Sequence, residues 1–361
     1  MPDDPNNARV YTARPTFRLN GTENERLASL IVAMDVTEQT GGLSSLELRL
    51  TNIASLQDGS AETAFDAGGD LALGAELIVG AGDTEAPVEI FRGTITALEA
   101  VFDEGNAPEL VVLAEDALQK ARLARRSKVY EDTTLADVVR TVAGFHGWTP
   151  QVTGLDQHIG TQVQINESDL AFLRRLLVRA DADLQIVGTE LHASARADVR
   201  RGELELEVGA QLRRVRVIAD LAHQVTQATV KGWDVANGSA LDADGQDNAL
   251  GPGAGQKGGE ILQGSFGERK HHTGHLAAFD QSEVTALANS VRNGRARRFV
   301  RAIGTTEGNP ALRVGTQVKL TGLPQWFANT YYVVKARHLF DLKEGYRTEF
   351  EGECAWLGRQ S

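Results

Sequence analysis

Two distant stretches of this 361-residue chain carry the same pattern of three β-strands. The first covers residues 71–115 and the second residues 312–353. In each, a glycine (Gly74 or Gly315) opens a short strand, a longer strand ends in Phe-Asp, and a hairpin leads into a third strand. Alternating runs and glycine turns are typical of any antiparallel sheet, so the likeness can arise by accident. The alternative, which we favour, is that one β-module occurs twice.

The bulk composition limits the class of protein. A chain of this length is too long to form a single hydrophobic core, because cores stop growing at ~250–300 residues. The 37 glycines, against 12 Phe, 5 Tyr and 4 Trp, indicate many turns and a β-rich chain. The formal net charge of −12 argues against specific nucleic-acid binding, since domains that bind nucleic acids are usually basic.

Cysteine content and hydropathy set further limits. The single cysteine, Cys354, excludes an intramolecular disulfide and a thiolate metal cluster, and its place in a predicted strand favours a buried apolar role. No run of 18 apolar residues occurs, and the polar leader (residues 1–15) does not resemble a signal peptide. We therefore expect a protein that is made in the cytoplasm and has no transmembrane segment.

Changes in composition predict three domains. Residues 1–115 form a first β-domain, residues 116–200 a compact α+β unit, and residues 201–361 a second β-domain. In the first domain the alternation of residues 45–51 places Leu46, Leu48 and Leu50 on one face of a strand. The fold class predicted is mainly β with an α+β insertion.

The middle unit contains two amphipathic helices. Thr133 or Thr134 caps the first, whose apolar stripe is Leu135, Val138, Val139 and Val142. Ser168 caps the second, whose stripe is Leu170, Leu173, Leu176 and Leu177. A strand, a turn at Gly188-Thr189 and another strand follow.

The second β-domain contains an irregular stretch. Residues 236–275 lack periodicity and are rich in Gly, Asp, Ala and Asn, which predicts a long flexible loop or insertion. A helix at about residues 282–298 follows, and one of its sides carries Val284, Leu287, Ala288 and Val291. This helix leads into the second copy of the β-module.

Several side-chain groups suggest a site but lack the spacing that it requires. His271, His272 and His275 are not spaced as in HExxH, so an exposed loop is the better interpretation. Lys257 follows a glycine-rich run but precedes glycine where a P-loop has Ser or Thr, which argues against nucleotide binding. Five arginines could meet phosphates, although a helix end that pairs with acidic neighbours explains them better: Arg292, Arg295, Arg297, Arg298 and Arg301.

No recognisable catalytic motif occurs. The sequence contains no G-x-S-x-G, no reactive-cysteine setting and no carboxylate pair in a glycosidase context. We therefore predict that the protein is not an enzyme, with no catalytic, cofactor-binding or metal-binding residues and no cofactor.

One segment resembles a known family. Residues 162–192, with Asn-Glu-Ser-Asp-Leu-x-Phe-Leu at 166–173, are similar to the late-control D proteins of phages, a family that also includes the hub part of VgrG-type spikes. Residues 91–102 and 307–341 are similar to the same family in the same order. The resemblance covers nearly the whole chain, from about Pro15 to Trp356.

The resemblance implies a structural baseplate hub. Two tube-type β-barrel domains and a small α+β domain are expected in each chain of a homotrimer, which joins a hexameric tail tube to a trimeric spike around a central channel. Because the sequence stops at Ser361 soon after the second module, the spike is expected to be a separate polypeptide. Other baseplate proteins are further expected partners. The expected location is the baseplate of a phage virion or tail-like particle.

Two other functions are compatible with parts of the sequence. Residues 129–153 faintly suggest a LysM-like module, so the alternative is a tail-associated protein that binds or degrades peptidoglycan. The clusters of Arg and Lys allow a nucleic-acid-binding protein, whose affinity would fall steeply with salt. The net acidity disfavours the second alternative.

Overall fold

The computed structural model of the protein describes residues 14–55, 61–66, 71–83, 85–199, 201–235, 237–278 and 280–358. The polar leader up to residue 13 and parts of the predicted turn region at 55–70 lie outside the described residues. No helix in the described part of the chain has the length and apolar character needed to cross a bilayer.

The first half consists of strands and one short helix. These elements are β1 (Thr16–Leu19), β2 (Thr22–Glu23), α1 (Glu25–Leu30), β3 (Ile31–Gln39), β4 (Ser45–Thr51), β5 (Ala54–Ser55), β6 (Ala61–Glu62), β7 (Glu76–Gly82), β8 (Pro87–Val101) and β9 (Glu109–Glu115).

The middle unit alternates helices and strands. It contains α2 (Leu118–Leu123), β10 (Arg125–Tyr130), α3 (Leu135–His146), β11 (Thr149–Thr153), β12 (Gln162–Ser168), α4 (Asp169–Arg179), β13 (Ala182–Val187) and β14 (Glu190–Ala195).

The second half returns to strands and adds two helices. It contains β15 (Glu203–Glu207), β16 (Leu212–Ala219), β17 (Gln227–Asp234), β18 (Ser239–Asp244), β19 (Gln256–Lys257), α5 (Gly258–Phe266), β20 (Lys270–Ala278), α6 (Gln281–Arg297), β21 (Val300–Glu307), β22 (Gln317–Thr321), β23 (Thr330–Asp341), β24 (Gly345–Cys354) and β25 (Trp356–Leu357).

One sheet of 13 strands runs through both halves. Its order is β16-β21-β24-β23-β3-β4-β9-β8-β7-β1-β2, with β22 beside β23 and β15 beside β22. The mainly β prediction with an α+β insertion is therefore confirmed. Among the described residues, however, no strand pairing closes either half into the expected barrel, because β3 of the first half pairs with β23 of the second.

The hydrophobic cores follow the alternation of the strands. Leu46, Leu48 and Leu50 of β4 are fully buried on one face, as predicted. The core of the first half also contains Phe340 and Tyr346, which the second half contributes. Burial of such side chains stabilises the fold by about 1.5–3 kcal/mol each. The two halves therefore share a core as well as a sheet.

The capped helices of the middle unit are confirmed. The Thr134 side chain accepts a hydrogen bond from the Asp137 backbone at 3.1 Å, and Ser168 accepts one from Ala171 at 3.2 Å. Both predicted apolar stripes are buried in one core. Strands β13 and β14 form the expected hairpin around Gly188. The domain boundaries near residues 115 and 200 remain a prediction.

The predicted flexible loop at residues 236–275 is wrong. Within this stretch, β18 and β20 flank β17 in a sheet of their own, and α5 lies between β19 and β20. Glycines here permit close packing, since a Cβ on Gly255 would lie 2.0 Å from the Leu357 carbonyl oxygen. The low periodicity therefore reflects tight turns between short elements rather than a lack of structure. Helix α6 matches the predicted helix to within one residue at each end.

Candidate assembly surface

The two copies of the β-module have the same first turn. Gly74 and Gly315 adopt φ angles of 87° and 91°, a region that favours glycine. Each glycine N–H donates to a carbonyl of its module's long strand, Gly74 to Ile95 at 2.9 Å and Gly315 to Val333 at 3.0 Å. Gly74 and Gly315 thus occupy equivalent places, as the sequence pattern indicates.

The middle strands of the modules also carry the same irregularity. Strand β8 has a bulge against β9 between Ile95 and Ala97, and β23 has one against β24 between Val333 and Lys335. Each bulge begins at the residue whose carbonyl accepts the glycine N–H. The hairpins that follow have the same register, since Val101 faces Glu109 and Leu339 faces Arg347.

The pairing of β3 with β23, named here the internal joint, connects the two modules. It is antiparallel from Lys335 opposite Gln39 to Asp341 opposite Ala33. Arg313, in the turn before β22, forms an ion pair with the buried Glu38 of β3. Burial raises the pKa of Glu38, but the charge and hydrogen bonds of Arg313 outweigh it and lower the pKa overall. The joint therefore contains a charged pair largely shielded from water.

A buried histidine lies in the same joint. His338 of β23 is fully buried, and its Nδ1 lies 2.8 Å from the Tyr346 hydroxyl. Burial lowers the pKa of His338 to about 3, and the positive charge of Arg313 acts in the same direction. The imidazole is therefore neutral at pH 7, although its Nε2 has no hydrogen-bond partner.

Two strand edges remain unpaired. Beyond Ile95, β8 has β9 on one side and no strand among the described residues on the other. Over Arg214–Ala219, β16 has β21 on one side and likewise no strand from the described part of the chain on its outer side. Exposed edges offer free N–H and C=O groups to a partner strand. These edges are candidate assembly surfaces.

The segment that resembles the late-control D family positions a buried carboxylate. Asp169, at the start of α4, is fully buried and bonds to three side chains. Its oxygens lie 2.9 Å from Arg126 Nε, 2.8 Å from His146 Nε2 and 2.9 Å from Gln164 Nε2. The cap at Ser168 is visible in the sequence but this network is not, because Arg126 and His146 are distant from Asp169 in the sequence.

A cleft of about 720 Å³ separates the middle unit from α6, and arginines line it. Arg174 donates to the backbone carbonyls of Gly41 and Gly42 at 2.8 and 2.7 Å. Arg297 donates to both oxygens of Asp181, at 2.7 and 2.5 Å. These cations hold the walls of the cleft together.

The predicted pairing of the α6 arginines with acidic neighbours is confirmed for two of them. Arg292 Nε lies 2.6 Å from Asp247, and Arg297 contacts Asp181. Arg295 instead lies 3.2 Å from His271, whereas Arg298 is exposed and Arg301 belongs to β21.

The remaining candidate residues have structural surroundings. His271 and His272 belong to β20 rather than to the expected loop, and the side chain of His275 lies outside the described residues. Lys257 precedes α5 and pairs with Asp247 at 3.0 Å. Cys354 is buried at the end of β24, where burial raises its thiol pKa to about 12. Its predicted buried role is confirmed.

Comparison with known sequences identifies one family. The family model described as the Alg8 N-terminal domain matches residues 29–341. The match includes every element from β3 to β23 completely. No curated protein matches the sequence.

Solved structures with the same fold include two tail proteins. The 43 kDa tail protein of prophage MuSo2 from Shewanella oneidensis has a TM-score of 0.70 at 12% identity, covering 95% of this chain and 98% of that one. The tail protein from Neisseria meningitidis MC58 has a TM-score of 0.63 at 11% identity, with coverages of 94% and 96%.

A secretion-system protein is similar as well. The Escherichia coli c3393 protein is described as a component of the type VI secretion system with structural similarity to the phage T4 tail proteins gp27 and gp5. It has a TM-score of 0.59 at 12% identity and covers 92% of this chain and 76% of that one. This chain therefore has a fold found in phage tails and in type VI secretion.

Proposed function

The chain belongs to the Alg8 N-terminal domain family, and from its tail-protein fold we propose that it is the structural baseplate hub of a phage tail or of a tail-like contractile injection machine. The observation that carries this proposal is the duplicated module. The two copies agree in their glycine turn, bulge and hairpin register, and both belong to one sheet, with β3 and β4 between them.

The duplication supports a homotrimer. Three chains with two equivalent modules each form a closed threefold ring with pseudo-sixfold symmetry. Such a ring matches a hexameric tail tube on one side and a trimeric spike on the other, so both are proposed partners, together with other baseplate proteins. The hub then surrounds a central channel. The resemblance to late-control D proteins supports the same assignment.

The role is structural rather than enzymatic. The two ion-pair groups described above, Glu38 with Arg313 and Asp169 with Arg126 and His146, connect parts of the fold. We propose that the protein is made in the bacterial cytoplasm and incorporated into a baseplate, where an acidic channel would repel passing polyanions. No cofactor takes part in this role.

The first experiment is to measure the mass of the purified protein by light scattering on a sizing column. The monomer mass is 38.9 kDa, so a trimer would have about 117 kDa under closed threefold symmetry. The measurement is repeated with the candidate spike protein, and complexes are imaged for six equal lobes. A chain that stays monomeric alone and with spike and tube proteins would contradict the hub.

The same preparation tests the peptidoglycan alternative. That alternative rests on residues 129–153, which form the end of β10, α3 and β11, and α3 directs its apolar stripe into the core of the middle unit. We expect no binding to purified peptidoglycan and no degradation of it. Either activity would favour the alternative over the hub.

A further inference from the structure

We propose that the internal joint is repeated between chains, so that the free half of β8 in one copy pairs with β16 of a second copy of this chain. This inference rests on the proposed hub, because a closed ring supplies the second copy. It specifies which edges meet and in which register. The equivalence of the two modules identifies the first edge, because β8 corresponds to β23, the strand that pairs with β3 in the internal joint.

Strand β16 occupies the place in the second half that β3 occupies in the first. In the first half, β3 pairs with β4, and β4 pairs with β9, the third strand of the first module. In the second half, β16 pairs with β21, and β21 pairs with β24, the third strand of the second module. Both outer pairings have a bulge at the same point, between Ile31 and Ala33 and between Leu212 and Arg214. Ala33 therefore corresponds to Arg214.

The equivalences determine a register for two copies. In the internal joint, His338 faces Val36 and Asp341 faces Ala33. Transferred to two copies, the register pairs Leu98 with Ala219, Glu99 with Ile218, Ala100 with Val217, Val101 with Arg216, Phe102 with Val215 and Asp103 with Arg214.

Charges on the two free edges are complementary in this register. In the internal joint, Arg337 of β23 forms an ion pair with Asp35 of β3. The corresponding residues are Glu99 and Arg216, so the signs are exchanged and the attraction is kept. Both are exposed in the single chain, and the side chain of neither forms a hydrogen bond or ion pair with the described residues. In the transferred register Glu99 and Arg216 are diagonal neighbours on one face, within reach of long side chains, so their unlike charges favour strand pairing.

Apolar side chains in the free half of β8 and directly after it lack the cover that their counterparts have. Phe102 is 69% exposed, whereas the corresponding Phe340 is 4% exposed and packs in the core of the first half. Leu98 is 38% exposed, whereas the corresponding Ala336 is fully buried. Covering Phe102 with a second copy removes a large apolar surface from water, which favours association.

The proposed contact between copies has no equivalent of the buried Glu38–Arg313 ion pair of the internal joint. Arg313 corresponds to Ala72 in the first turn, because the backbone carbonyl of each accepts a hydrogen bond from the N–H of the residue three positions later. Glu38 corresponds to Ala219 in β16. Two alanines replace the charged pair, so the contact between copies buries no unpaired charge.

Disulfide trapping tests the register directly. The double variant A100C/V217C should form covalent dimers and trimers under mild oxidation, because opposed residues of paired strands have Cα atoms about 4.5–5.5 Å apart. The matched control A100C/V215C shifts one cysteine by two residues on the same face, about 7–8 Å away diagonally, and should cross-link poorly. The buried native Cys354 does not compete.

Charge exchange provides a second readout that does not need cysteines. Glu99→Arg or Arg216→Glu alone should weaken trimer formation roughly tenfold or more, since like charges then meet at the contact. The double variant should restore it. Glu104→Arg is the matched control, because Glu104 is exposed and lies beyond the predicted pairing.

The outcomes separate this inference from the hub itself. A trimer that traps A100C/V217C and not the shifted pair supports the register. A trimer that traps neither pair, or whose single charge variants behave like the control, overturns the β8–β16 contact and leaves the hub standing. A chain that stays monomeric with its spike and tube partners and traps neither pair overturns both.

Discussion

At the scale of single residues, His338 shows how a sheet joint can make stability depend on pH. The side chain is fully buried between the two halves, and burial lowers its pKa to about 3. In the unfolded chain, a histidine has a pKa near ~6.5. As pH falls below about 6.5, this histidine binds a proton in the unfolded chain but not in the folded chain, so acid destabilises the fold.

We predict that this histidine accounts for a loss of about 3 kcal/mol between pH 7 and pH 4, at about 1.4 kcal/mol per unit of pKa shift. The variant His338→Gln should lose less stability over the same range. The measurement is the free energy of unfolding from urea titrations at several pH values. His272→Gln, at an exposed position, is the control. Parallel pH profiles for the wild type and H338Q would contradict the prediction.

Asp169 shows which part of a site a single sequence can reveal. Its position directly after the Ser168 cap is visible in the sequence, because caps and first-turn acids are local signals. Its partners Arg126 and His146 come from β10 and α3, and no local spacing connects them. With Gln164 of β12 included, the network is assembled from four elements and depends on the tertiary fold, so the helix could be predicted from the sequence but the role of the carboxylate could not.

At the scale of elements, helices with caps and regular stripes were predicted well. Helices α3, α4 and α6 follow the periodicity of their sequences, and the β13–β14 hairpin follows its glycine turn. Residues 236–275 were predicted wrongly, because β18 and β20 gain stability from pairing with β17, a strand that lies outside this stretch. Such pairings leave no local period.

Helix α4 permits a direct test of its buried stripe. Leu173 is fully buried in the middle core, so we predict that Leu173→Asp lowers the free energy of unfolding by about 3 kcal/mol or more. On the same helix Val178 is 66% exposed, and Val178→Asp should change stability far less. Thermal melting of both variants measures the difference. Equal melting temperatures for L173D and wild type would show that the stripe is not core.

At the scale of the whole molecule, Arg297 connects three parts of the chain. It projects from the end of α6, and its side chain is 8% exposed. It donates to Asp181, next to β13, and to the backbone carbonyl of Ala249, and its Nε lies 3.4 Å from Glu353 in β24. The middle unit, the glycine-rich segment and the long sheet therefore meet at one guanidinium.

We predict that Arg297→Met loosens all three parts together. Removing the cation leaves Asp181 without its main partner and takes one positive charge away from Glu353. Breaking a buried ion pair in this way lowers the free energy of unfolding by about 3–5 kcal/mol. Hydrogen exchange should lose protection around β13, around Ala249 and at the end of β24. Arg298→Met, one residue further and exposed, is the matched control and should leave exchange unchanged. Loss of protection confined to α6 would mean that the three parts hold together without Arg297.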